Sequence, residues 1–205
     1  MDGIQIYHGD CREILPQLPK VDLVLTSPPY DNLRDYGGHG FDWPSTIDAI
    51  VPVIKDGGVC VWVVGDATIN GSETGTSFRQ ALYFMEKGIR LHDTMIWDKG
   101  SCRYPETNRY YPCFEYMFIF TNGRPNTFNP LNDKVNIYSG SKVSRLHQMR
   151  LRDGDLKENS AYQRDKNRRI KEYGIRLNVW EIAVSASNGD KLALEHPASF
   201  PERLS

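Results

Sequence analysis

A four-residue turn, Ser27-Pro28-Pro29-Tyr30, offers the groups needed to hold a planar amine. The two prolines have no N–H and stiffen the backbone, so the carbonyl of Pro28 is left to accept a hydrogen bond. Ser27 adds a hydroxyl and Tyr30 adds a flat ring. An aromatic base with an exocyclic amino group could donate one N–H to Ser27 and the other to Pro28, while its face lies on Tyr30. These four residues are therefore the candidate catalytic residues.

The turn follows a β-branched and aliphatic run, 21–25, which is typical of a strand buried on both faces. Further strand-like runs lie at 4–7, 59–64, 93–97 and 114–120, and helical patterns cover 12–18, 44–54 and 77–87. Because strands alternate with helices, the sequence predicts a mostly parallel sheet flanked by helices. The glycine-containing loop 71–76 lacks the lysine of a phosphate-binding loop, so it is interpreted as the approach to a helix N-terminus near the substrate cleft.

The turn resembles the (Asp/Asn/Ser)-Pro-Pro-(Tyr/Phe) motif of S-adenosylmethionine-dependent DNA amino-methyltransferases. Other segments resemble further motifs of the permuted β group of that family, and together they span nearly the whole chain. They are 4–15 with its Gly9-Asp10 turn, 57–66, 92–99, 114–120 and 195–204. The chain is identified on these motifs as a member of the family.

The resemblance implies an α/β fold: a Rossmann-like class I methyltransferase sheet with circularly permuted motif order. It implies S-adenosylmethionine as the cofactor and double-stranded DNA as the partner, with the target base flipped out of the duplex. A serine at position 27 favours N4 of cytosine as the methyl acceptor. N6 of adenine is the alternative, because both amines present two N–H donors to the same acceptors.

The resemblance also assigns roles to residues outside the turn. Asp10 is expected near the adenine amino group of the cofactor, and Thr26, beside the catalytic turn, is a second expected cofactor contact. The expected wall on the methionine side of the cofactor is made by His196, Pro197 and Phe200. Trp97 and Tyr104 are candidates for the wall of the base pocket opposite Tyr30.

Charge is distributed unevenly along this chain of 205 residues, whose net charge is only −1. Residues 141–176 carry 11 Lys or Arg and 5 Asp or Glu, and the rest of the chain is acidic. This segment lies in a polar stretch that breaks the strand–helix alternation, so three regions are predicted: catalytic core 1–124, basic target-recognition insert 125–176, and return to the core 177–205. The predicted DNA contacts in the insert are Arg145, Arg150, Arg152, Arg164, Arg168 and Arg169. A solvated or disordered loop is the alternative that charge alone leaves open.

One motif of the family does not occur in these 205 residues. The Gly-rich cofactor motif normally follows the His-Pro-x-x-Phe-Pro segment, and family strand order places its strand and the next one between 4–7 and 21–25. The sheet is therefore expected to have a central gap. A fragment is the favoured explanation; a segment supplied in trans and a truncated, inactive DNA-binding relative are the alternatives. This chain is expected to bind the cofactor weakly or not at all.

Other function classes are disfavoured by the sequence. Four cysteines show neither metal-ligand spacing nor the density of a disulfide scaffold, so no metal and a reducing, cytoplasmic compartment are expected. No signal peptide or membrane span is predicted. Cys113 opens an apolar run, which disfavours a covalent thiolate mechanism. Membership of a restriction-modification system, a solitary enzyme and a homodimer all stay open.

Overall fold

The computed structural model describes residues 3–30, 40–101, 107–142, 148–158 and 168–183. It divides into two compact units, the first made of 1–128 with 178–205 and the second of 129–177. The strands in chain order are β1 (Val21–Thr26), β2 (Ile54–Val64), β3 (Thr68–Ile69), β4 (Ser72–Glu73), β5 (Arg90–Asp98), β6 (Phe114–Thr121), β7 (Lys134–Val135), β8 (Gln148–Arg150), β9 (Leu156–Glu158), β10 (Tyr173–Gly174) and β11 (Val179–Glu181). The helices are α1 (Cys11–Ile14), α2 (Trp43–Ile50) and α3 (Thr76–Glu86).

The first unit is built on a five-stranded sheet with the order β1-β2-β6-β5-β11. β1 is parallel to β2 and β11 is parallel to β5, whereas β6 runs antiparallel to both of its neighbours. The carboxyl ends of β1, β2, β5 and β11 therefore meet at one edge, where β6 begins. This mixed α/β sheet confirms the predicted fold class.

Each predicted helix is present, and each begins or ends for a local reason. Asp10 and Asp42 cap α1 and α2 by accepting from backbone N–H groups. Both helices then tighten into single 3₁₀ turns, 15–17 and 51–53, that contain a proline. Because proline cannot donate to a backbone carbonyl one turn earlier, the α-helix stops before it. α3 follows Gly75, whose φ of 64° favours glycine.

The core of the first unit is aromatic. Trp62 of β2, Phe84 of α3 and Phe120 of β6 are fully buried, and the rings of Phe84 and Phe120 stack with centroids 4.2 Å apart. The indole N–H of Trp62 donates to Oε1 of Gln80 over 2.7 Å, so its one polar atom is paired in the interior. These contacts fix α3 against the centre of the sheet.

Two expectations about the strands are corrected. Residues 4–7 form no strand, and Ile4 and Ile6 are 95% and 90% exposed. β1 is not buried on both faces, since Leu23 is 55% exposed. Among the described residues β1 pairs with β2 alone, so it is an edge strand. The sheet of the described residues thus offers 4–7 no hydrogen-bonded neighbour.

The second unit consists of short antiparallel pairings. β7 pairs with β10, β8 pairs with β9, and an isolated bridge joins Lys142 to Arg169. The guanidinium of Arg176 donates to the carboxylate of Asp133, with Nε 2.8 Å from Oδ2. The unit covers 129–177, against 125–176 for the predicted insert. No helix among the described residues is long and apolar enough to cross a membrane.

Candidate active site

β1 delivers the Ser-Pro-Pro-Tyr turn to the edge of the sheet where the parallel strands end. Thr26 is in register with Trp62 of β2, so the turn begins beside the last residues of β2. Pro28 is buried and Tyr30 is half-buried against the aromatic core, whereas Ser27 is exposed. The stiff, buried part of the turn thus anchors it, and the residue whose hydroxyl could accept from an amine is exposed.

Tyr30 links the turn to β6 by hydrogen bonds. Its hydroxyl oxygen lies 2.7 Å from Oγ of Ser27 and 2.6 Å from Oε2 of Glu115. A Cβ added to Gly65, just beyond β2, would lie 3.5 Å from the Tyr30 ring, so the ring lies along the end of the neighbouring strand. Tyr30 is therefore held at both its ring and its hydroxyl.

Lys99 completes this network from the end of β5. Its backbone N–H donates to the carbonyl of Cys113 over 2.7 Å, which brings Lys99 next to the start of β6. Its ammonium Nζ lies 3.1 Å from Oε1 of Glu115, and the two side chains are only 25% and 13% exposed. Sequence analysis did not select Glu115 or Lys99. The signal was present, because Glu115 is an acidic residue inside an apolar strand run.

Asp66, which follows β2 at the same edge, is engaged in capping α3. Its carboxylate accepts from the backbone N–H of Ser77 over 2.8 Å and pairs with the Ser77 hydroxyl over 2.5 Å. The preceding hairpin, β3 and β4, leads into Gly75 and the first turn of α3. The loop 71–76 is thus the approach to a helix N-terminus, as predicted.

The cofactor-side residues are described only in part. Asp10 accepts from the backbone N–H and the guanidinium of Arg12, and these bonds lower the pKa of Asp10 to about 2. Hydrogen bonding to Asp10 raises the pKa of the Arg12 guanidinium, which also lies 3.3 Å from Asp42 at the start of α2. Asp10 and Thr26 have the acceptor chemistry that an adenine amino group needs, although Asp10 already shares its charge with Arg12. His196, Pro197 and Phe200 lie outside the described residues.

The predicted second wall of the base pocket is corrected for Trp97. Its side chain is 4% exposed, packs with Val63 and Met117, and donates its indole N–H to the carbonyl of Ile182 over 2.7 Å. Trp97 therefore fills the core between β5 and β11 and cannot stack on an incoming base. Tyr104 lies outside the described residues.

The predicted DNA contacts fall in the second unit. Arg150, Arg152, Arg168 and Arg169 are exposed, and Arg169 donates to the carbonyl of Gly140 over 2.6 Å. Arg145 and Arg164 lie outside the described residues. No cluster of potential metal ligands is found in the described part of the chain.

The family model described as DNA methylase, N6_N4_Mtase, matches residues 21–205. The match covers the Ser-Pro-Pro-Tyr turn and every strand of the five-stranded sheet. The chain therefore belongs to this family of DNA amino-methyltransferases, as its motifs predicted. S-adenosylmethionine is the methyl donor of the family, which confirms the predicted cofactor at that level.

M.BamHII, an orphan methyltransferase of Bacillus amyloliquefaciens, is 48% identical over 199 residues, which are 96% of this chain and 70% of M.BamHII. M.SmaI, a type II methyltransferase of Serratia marcescens, is 27% identical over 165 residues, 58% of this chain and 56% of M.SmaI. Among solved structures, the PvuII DNA methyltransferase (cytosine-N4-specific) has a TM-score of 0.58 at 21% identity, over 97% of this chain and 66% of its own. That likeness supports the class I methyltransferase fold.

Proposed function

We propose that the chain is the catalytic part of a site-specific DNA methyltransferase that transfers a methyl group from S-adenosylmethionine to the N4 amino group of cytosine. One observation carries the proposal: the Ser-Pro-Pro-Tyr turn lies at the carboxyl edge of the sheet with Ser27 exposed and Tyr30 anchored. The 48% identity to the methyltransferase M.BamHII supports the reaction class. The serine at position 27 supports cytosine.

The residues of the turn supply positioning and charge stabilisation. The lone pair of an aromatic amine is delocalised into the ring, so the nitrogen attacks poorly until its geometry becomes more tetrahedral. Acceptors at Ser27 and at the Pro28 carbonyl favour that geometry and stabilise the positive charge that develops on nitrogen. S-adenosylmethionine, when bound, supplies an electrophilic methyl group on a good leaving group. The nitrogen gains the methyl group and gives up one proton to solvent, so no covalent intermediate on the protein is needed.

Access to the amine requires the base to leave the stack, because the amino group of a paired base is buried in the duplex. Tyr30 is the stacking platform in this proposal. The exposed arginines of the second unit are proposed to contact DNA phosphates and to contribute to target recognition. Asp10, Thr26, His196, Pro197 and Phe200 are proposed as the cofactor contacts that the chain itself provides.

Two other functions stay as alternatives. N6 of adenine is favoured by chemistry alone, since it offers the same N–H donors to the same acceptors. A DNA-binding relative without transfer is favoured by the one-sided pairing of β1 and by the Asp10–Arg12 ion pair among the described residues.

Methyl transfer to DNA from a methylation-deficient strain separates these functions. We expect N4-methylcytosine when the nucleosides are analysed by mass spectrometry. Detection of N6-methyladenine instead would identify adenine as the methyl acceptor. DNA binding without either product would support the non-catalytic relative. Calorimetry with S-adenosylmethionine should show weak binding by this chain. Binding should be tighter for a fusion that carries the part of M.BamHII outside the match; equal, tight binding by both would contradict our strand assignment.

A further inference from the structure

We infer that Glu115, held by Lys99, is a positioning residue that turns Ser27 into a hydrogen-bond acceptor for the target amine. That the group bound by Ser27 is an amine rests on the proposed function. The direction of the hydrogen bonds is inferred independently, from the contacts of Glu115. The inference adds a residue on β6 and a reason for its presence to a site otherwise confined to one turn.

The protons in this network can be counted. An ionised carboxylate only accepts and an ammonium only donates, so Lys99 donates to Oε1 of Glu115. Tyr30 carries a single hydroxyl proton, which it donates to Oε2 of Glu115 over 2.6 Å. The 2.7 Å contact between Ser27 and Tyr30 then has one possible direction: the Ser27 hydroxyl donates to the Tyr30 oxygen.

This direction decides what Ser27 offers to a base. A serine hydroxyl rotates freely and can be either donor or acceptor. With its proton directed to Tyr30, Oγ presents lone pairs to whatever approaches its exposed side. An amine N–H meets an acceptor there instead of a competing O–H donor. The network therefore provides the polarity that methyl transfer to nitrogen needs.

The surroundings make the arrangement rigid. Glu115 is 13% exposed and Lys99 is 25% exposed, so their ion pair is partly shielded from water and salt. The backbone bond from Lys99 to Cys113 fixes the ammonium beside β6, and the pairing of Asp98 with Phe114 sets the two strand ends side by side. Both carboxylate oxygens of Glu115 are occupied, one by Lys99 and one by Tyr30. The carboxylate can thus keep the O–H bond of Tyr30 pointing towards Glu115.

Ser27 and Glu115 form a matched pair under this inference. An aspartate at position 27 would accept from an amine without being directed. It would also compete with Glu115 for the single Tyr30 proton, across one hydroxyl oxygen, and like charges that close repel. Glu115→Gln should therefore slow methyl transfer by the protein with Ser27. The same change should speed methyl transfer by the Ser27→Asp protein, because it removes the repulsion and the competition for the Tyr30 proton. A purely structural role of Glu115 gives no such reversal.

The direction of the hydrogen bonds is tested without DNA or cofactor, by carbon-13 NMR of the chain with labelled tyrosine. The Tyr30 Cζ resonance, assigned by its loss in Tyr30→Phe, should move in Glu115→Gln and in Ser27→Ala. It should stay in place in Glu86→Gln, a matched exchange at an exposed position on α3. A Tyr30 resonance unaffected by Glu115→Gln would overturn the inference, whether or not the chain methylates DNA.

The consequence for transfer is tested by a double-mutant cycle with the DNA assay above. Glu115→Gln, and separately Tyr30→Phe, should slow transfer at least about tenfold with Ser27 present and change it less than about twofold in Ser27→Ala. In the Ser27→Asp background, adding Glu115→Gln should raise the rate of methyl transfer. Equal slowing in all three backgrounds would make Glu115 merely structural.

If Glu115→Gln does not fold, Tyr30→Phe decides the cycle, because it keeps the ring and removes only the connecting hydroxyl. Absence of transfer by the unmodified protein and its M.BamHII fusion alike would defeat the proposed function, not the NMR result.

Discussion

The two units of the molecule are built on different physical principles. In the first unit, side chains from three separate segments converge on one edge of the sheet, joined by hydrogen bonds of which two are partly buried. In the second unit, short hairpins carry exposed arginines that mostly face solvent. Chemistry requires fixed positions, whereas phosphate binding requires clustered charge. Substitutions should therefore have large, interdependent effects in the first unit and small, additive, salt-dependent effects in the second.

The largest effect is expected at Ser27. Ser27→Ala removes the acceptor for the target amine, and one such charge-stabilising interaction is worth about 3 kcal/mol, so transfer should fall about a hundredfold. Affinity for S-adenosylmethionine should change little. Single-turnover kinetics of DNA methylation measure the first quantity and calorimetry the second.

The companion change Tyr30→Ala removes the stacking face, at roughly 1–3 kcal/mol per base, and should mainly weaken capture of the flipped base. Full-rate transfer in both Ser27→Ala and Tyr30→Ala would remove this turn from the active site. The contrast between the two units would then have no basis.

The buried pair of Trp62 and Gln80 is expected to give the next largest effect. Gln80→Leu leaves the indole N–H unpaired in the interior, which should lower the free energy of unfolding by about 1–3 kcal/mol. Gln17→Leu, at an exposed position, is the control and should stay within about 0.5 kcal/mol. Urea unfolding followed by tryptophan fluorescence measures both. Equal effects of the two changes would mean that the aromatic core does not determine the rigidity of the first unit.

Smaller, graded effects are expected at the arginines of the second unit. The four variants Arg150→Gln, Arg152→Gln, Arg168→Gln and Arg169→Gln each remove one positive charge that can pair with a DNA phosphate. Each should therefore weaken duplex binding and reduce the slope of log affinity against log salt by about one unit. Fluorescence anisotropy at several salt concentrations gives the slopes.

The matched control for these variants is Arg90→Gln, at an exposed position on β5 of the first unit. This variant removes the same charge from a surface that is not proposed to meet DNA, so its slope should equal that of the unmodified protein. Unchanged slopes in all four second-unit variants would identify that unit as a solvated region without a role in DNA binding.

The smallest effect is expected at Asp10, which is exposed. Its folded pKa of about 2 lies below the ordinary value of 3.8, so its contribution to stability is present above about pH 4 and is lost as pH falls through about 2. Asp10→Asn keeps a good helix cap but removes the charge that pairs with Arg12. The stability difference from the unmodified protein, measured by thermal unfolding, should therefore shrink between pH 4 and pH 2. A constant difference over that range would mean that the charge of Asp10 does not stabilise α1.

Sequence patterns predicted the elements better than the contacts between them. The predicted strands 21–25, 59–64, 93–97 and 114–120 all lie in one sheet. A continuous apolar run bounded by turn residues indicates a buried strand without reference to the rest of the chain. The run 4–7 has the same local pattern but forms no strand, since a strand also needs a neighbour to pair with. Trp97 was misassigned for a related reason: a tryptophan at the end of a strand can face the core or a cleft, and only the position of Ile182 decides which.

The sequence by itself determined the Ser-Pro-Pro-Tyr turn, the three helices and the family motifs, because each depends on residues close together in the chain. The tertiary structure decided that Glu115, 85 positions from Tyr30, and Lys99 meet that turn. Their meeting depends on the antiparallel register of β6 with β2 and β5, which brings the start of one strand to the ends of two others. No local periodicity encodes such a register, since it is set by the packing of the whole sheet.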